Sequence, residues 1–100
     1  EKGIIIMAMK LPKMQTKVGT MTFKETRGDW EWDGNVGFTV SLDDKPILIF
    51  LVDTNDAEMG LYSYSAVQIE NPEAKTFFLG ESRKKSLERL KTIVETVFKK

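Results

Sequence analysis

SRKKSLERLKTIVETVF, residues 82–98, is the stretch on which the fold turns. Its apolar residues are Leu87, Leu90, Ile93, Val94, Val97 and Phe98. Steps of three and one keep all six on a single stripe of a helix with 3.6 residues per turn. Ser82 or Ser86 can cap the start by accepting a hydrogen bond from a free backbone N–H. Burying six such side chains contributes on the order of 10 kcal/mol before conformational entropy is subtracted. This amphipathic C-terminal helix needs a surface to lie on, and the residues before it have the pattern of a sheet.

Upstream, the apolar residues recur with a period of two. The pattern predicts strands over about 3–9, 18–26, 29–33, 36–42, 46–52, 61–69 and 75–79. Arg27-Gly28-Asp29, Asp33-Gly34-Asn35, Asp43-Asp44-Lys45-Pro46 and Asn71-Pro72 punctuate them as turns. Strands followed by one helix indicate an α+β domain, not alternating βαβ units. The expected fold is an antiparallel, meander-like sheet of five to seven strands with the helix packed on one face. One hundred residues make one domain, with a core large enough to need no staples.

Two segments, 4–9 and 47–52, are apolar at every position, so both of their faces need cover. One helix covers one face. The other is expected to carry roughly 400 Å² or more of apolar surface, or to be buried by a second chain. Loops folding back, or a sheet that curls on itself, would also supply the cover.

Composition narrows the chemistry. The chain is 41% apolar and 30% charged, ordinary for a globular protein. It has no Cys and no His, which removes disulfides, thiolate nucleophiles, Cys/His zinc sites and histidine-dependent triads. The run 4–9 is too short to span a membrane or to form a signal core. These absences point to a cytoplasmic protein with no membrane association. The chain opens on Glu1, as a processed product or a piece of something longer would.

Net charge is zero, but it is segregated. Residues 1–24 carry +4, residues 25–62 carry −7, residues 63–81 carry −2 and residues 82–100 carry +5. Acids in loops and bases on a solvated helix give this pattern without any partner, and the same asymmetry also steers one.

Candidate site residues follow from aromatic and charge placement. Trp30 and Trp32 alternate with Asp29, Glu31 and Asp33, so a strand there places both indoles on one face and three carboxylates on the other. With Phe23 and Phe38 across the sheet they form either core or a stacking platform. Tyr62 and Tyr64 share a face of a later strand, and Asp43 and Asp44 add to the acidic middle. These six residues, Trp30, Trp32, Asp43, Asp44, Tyr62 and Tyr64, are the candidate partner contacts. Arg83, Lys84 and Lys85 open the helix against its macrodipole and are candidate anion contacts.

Other motifs carry less. Residues 53–58 resemble the start of a calcium loop, but Ala57 stands where an oxygen ligand is required and Glu58 where glycine is. Arg27-Gly28-Asp29 matches the integrin-binding tripeptide in a turn, without a glycosylation site to support secretion. No carboxylate pair and no Gly-rich phosphate loop marks catalysis, and no cofactor is implied. Residues Ala74-Lys75-Thr76-Phe77-Phe78-Leu79-Gly80 followed by the helix resemble the closing strand–helix unit of PsbP-like domains. That resemblance implies strand-then-helix packing and no function. The expected role is a non-enzymatic protein-interaction module that self-associates or binds, even inhibits, a partner protein. A single-stranded nucleic-acid binder using the Trp and Tyr residues and the basic termini is the alternative. A third reading is an apolar small-ligand binder.

Overall fold

The computed structural model describes residues 11–71, 73 and 76–98. The strand expected over 3–9 lies outside the described residues. Among the described residues, six strands form one antiparallel sheet in chain order: β1 (Met14–Thr16), β2 (Gly19–Thr26), β3 (Asn35–Leu42), β4 (Lys45–Asp53), β5 (Ser63–Gln68) and β6 (Phe77–Gly80). A helix, α1 (Arg83–Val97), follows. The fold is α+β, with every strand paired to its sequence neighbour.

Short turns account for the meander. Asp43 and Asp44, both at positive φ (49° and 70°), form a two-residue turn between β3 and β4. Positive φ at both central positions matches the right-handed twist of the flanking strands. Thr16 closes the β1–β2 turn by donating its hydroxyl to the Gly19 carbonyl at 2.7 Å.

Two expectations are corrected. Residues 29–33 form a 3₁₀ helix, not a strand. β1 is a strand that the sequence pattern did not predict. Its three residues are too few for alternation to be seen. The strands expected over about 61–69 and about 75–79 correspond to β5 and β6.

The concave face holds the core. Met21, Val40, Leu48, Phe50, Val52 and Ala66 point inward and are fully buried against Leu90 and Val94 of α1. Phe50 is central: Tyr64 stacks on it at 5.7 Å and Phe23 meets it edge-on at 5.9 Å. The sheet curls, and α1 touches β6 and β5 on one side and β1 on the other. The helix thus spans the gap between the two outermost strands. Lys17 N–H, in the β1–β2 turn, donates to Glu95 of α1 at 2.8 Å, fastening that end.

The seam between β6 and α1 is closed by side chains. Ser86, fully buried, donates to the Leu79 carbonyl at 3.1 Å, and Arg89 donates to the same oxygen at 2.9 Å. A strand edge normally exposes such a carbonyl as a pairing template. Here the helix satisfies it in place of a further strand.

The doubly apolar segment 47–52 has a local explanation. Val40 pairs with Leu48 but Ser41 pairs with Pro46, so Ile47 is an extra residue, a bulge. The bulge lets Ile47 and Leu48, adjacent in sequence, both be buried. Only Ile49 and Leu51 remain for the convex face, where Thr39, Ser65 and Val67 are their cross-strand neighbours and both are half-buried. Hydroxyl residues dominate around them: Thr20, Thr22, Thr26, Ser41 and Ser63. The bulge therefore removes much of the demand for outside cover.

Candidate protein-interaction site

The connection from β2 to β3 is the 3₁₀ helix Asp29–Asp33. With about three residues per turn, positions two apart point in different directions. Trp30 and Trp32 therefore do not share a face. Trp30 lies flat over Gly28 and Gly37, where a Cβ on either glycine would collide with the indole. Its Nε1–H is buried and finds no acceptor among the described residues. Trp32 is 91% exposed. Gly34, at φ 77°, ends the turn and donates to the Glu31 carbonyl at 3.1 Å. Arg27 and Glu31 form an ion pair at 2.9 Å on the solvent side.

A second loop, 54–62, leaves the same end of the sheet, because Asn35 of β3 pairs with Asp53 of β4. Buried Thr54 donates both its N–H (3.0 Å) and its hydroxyl (2.7 Å) to the Gly34 carbonyl. Asn55 Nδ2 donates to the Asp33 carbonyl at 2.9 Å. Its backbone N–H donates to Asp53 Oδ1 at 2.9 Å, an Asx-type turn. The two loops are thereby held as one unit. A short 3₁₀ turn, Ala57–Met59, then presents Met59, 74% exposed, and Leu61, 48% exposed.

The end formed by these loops is acidic. Asp29, Glu31, Asp33, Asp56 and Glu58 are all exposed there, with Arg27 as the base among them. On its other side the same end is basic. β6 finishes at Gly80 opposite Tyr64, so α1 starts beside the 54–62 loop. Ser82 caps the helix by accepting from Lys85 N–H at 3.3 Å, and Arg83, Lys84 and Lys85 are exposed around it.

The sequence-derived candidates divide. Trp32 stands on this surface and Trp30 anchors the turn that carries it. Asp43 and Asp44 sit at the opposite end, in the β3–β4 turn, where Asp43 Oδ1 accepts from Thr20 N–H at 2.9 Å. Tyr62 is half-buried against the core. Tyr64 is part of the core, and burial raises its phenol pKa while nearby Arg83 works against that shift. Phe23 and Phe38 face the concave side, away from Trp30, so no aromatic platform assembles. Met59 and Leu61 were not among the candidates. Their signal was available: two apolar residues flank Gly60 at the end of an otherwise polar loop.

Open hollows lie elsewhere among the described residues. One, about 350 Å³, runs between β6 and α1 and is lined by Phe78, Leu79, Arg89 and Ile93. Another, about 320 Å³, lies at the far end between Leu42, Lys45, Ile47 and Phe98. Among the described residues, no group of three or more acids is placed to hold a metal ion, and no helix is long and apolar enough to cross a membrane. No family model matches the chain, and neither the curated proteins nor the solved structures give a significant match.

Proposed function

We propose that this chain is a non-enzymatic protein-binding domain that engages its partner through the paired loops 27–34 and 54–62. The observation that carries the reading is Trp32, 91% exposed on a turn fixed to the sheet by Trp30 and to the second loop by Thr54 and Asn55. An exposed indole, on a turn hydrogen-bonded to the loop that carries exposed Met59 and Leu61, is the kind of anchor that dominates protein interfaces. The acids around it select a partner surface that is basic and apolar, and they repel phosphate. Nucleic acid is disfavoured on that account, and because Tyr64 belongs to the core.

The test is a titration with a cationic amphipathic helical peptide of Leu and Lys, followed by calorimetry. The reading expects saturable binding that weakens roughly tenfold or more in Trp32→Ala. A matched Glu peptide and an oligothymidylate should not bind. Binding that survives Trp32→Ala unchanged, or tighter binding of the oligothymidylate, would overturn it.

A further inference from the structure

We infer that the partner of this end is a second copy of the chain, docked end to end about a two-fold axis. The inference rests on the loop reading above and adds the occupant. The surface is self-complementary. Asp29, Glu31 and Asp33 lie on the β2–β3 side, Lys84 and Lys85 on the β6–α1 side, and the loop with Met59 and Leu61 lies between. A two-fold axis between that loop and the start of α1 brings the acidic half of each copy, with Asp56 and Glu58 of the loop, against the basic half of the other. It also removes both sets of exposed apolar side chains from water. An isologous contact requires this reciprocity.

Three further observations favour a second copy. The net charge of zero means that two copies meet without overall repulsion. The alternative route to self-association, strand pairing at β6, is obstructed because Ser86 and Arg89 hold the Leu79 carbonyl. Among the described residues the opposite edge is β1, three residues long, too short to template a stable pairing.

Sedimentation velocity over about 10–500 μM tests the inference, with low and high salt compared. The wild type should dimerise, with a dissociation constant that rises roughly tenfold or more at high salt. Two charge-reversed variants then probe the geometry: Asp33→Lys with Glu58→Lys, and Lys84→Glu with Lys85→Glu. Each alone should be monomeric, and an equimolar mixture should form a heterodimer. Circular dichroism establishes that both are folded. If a charge-reversed variant fails to fold, Trp32→Ala serves in its place and should weaken the dimer roughly tenfold or more. A wild type that stays monomeric throughout would overturn the second copy, whereas the Leu/Lys peptide titration with Trp32→Ala would still judge the loop surface. A dimer indifferent to salt, to both reversals and to Trp32→Ala would place the contact elsewhere and sink the inference.

Discussion

At the scale of single residues, Gly37 and Tyr64 carry the sharpest consequences. Gly37 gives up its side-chain volume to Trp30. Gly37→Ala should destabilise the domain by about 1–3 kcal/mol, measured by urea unfolding, because the added methyl overpacks a filled site. In a Trp30→Ala background the same change should cost little, and equal costs in both backgrounds would refute the contact. Tyr64 is held neutral by burial, so its folded pKa lies above the ordinary value near 10. Its stabilising contribution is complete below that ordinary value. As pH rises past it, the unfolded chain ionises first, and stability is lost through the folded pKa. Urea midpoints at about pH 9 and about pH 11 should therefore diverge more for the wild type than for Tyr64→Phe.

At the scale of elements, the β6–α1 seam makes a non-additivity prediction. Ser86→Ala or Arg89→Ala alone leaves the Leu79 carbonyl one partner, at a cost of about 0.5–1.5 kcal/mol each. The double variant removes both side-chain donors from a buried acceptor and should cost more than the sum, as a double-mutant cycle would show. The same scale explains what the sequence reveals and what it hides. The helix is legible because six apolar residues repeat at one period, and only its first and last residues differ from 82–98. β2 to β4 are legible because alternation and turn residues agree. Residues 29–33 mislead because period two in Trp and acid mimics a strand. What decides them is Gly37, a distant residue that admits an indole only by having no side chain. The bulge at Ile47 is hidden for a related reason, since a two-faced apolar run looks the same with or without an extra residue in the ladder. The sequence marks Trp32 as a candidate, but the pairing of its turn with the loop that carries Met59 arises from hydrogen bonds that leave no periodic trace.

At the scale of the whole molecule, one hydrophobic cluster runs from Met21 to Val94 and joins sheet and helix. The domain should therefore unfold as one unit, with far-ultraviolet dichroism and tryptophan fluorescence reporting the same midpoint. Phe50→Ala, at the centre of the cluster, should cost about 3–5 kcal/mol, a large part of the 5–15 kcal/mol typical of a domain. Two separated transitions would contradict a single core. The seam at Leu79 also has a consequence in time. α1 follows β6 in the chain, so during synthesis the sheet emerges before the two side chains that guard its edge. A nascent chain that has emerged only as far as residue 82 presents an open strand and an uncovered concave face together. That interval is when the protein is most prone to aggregate, and it is when a chaperone would find the most to hold.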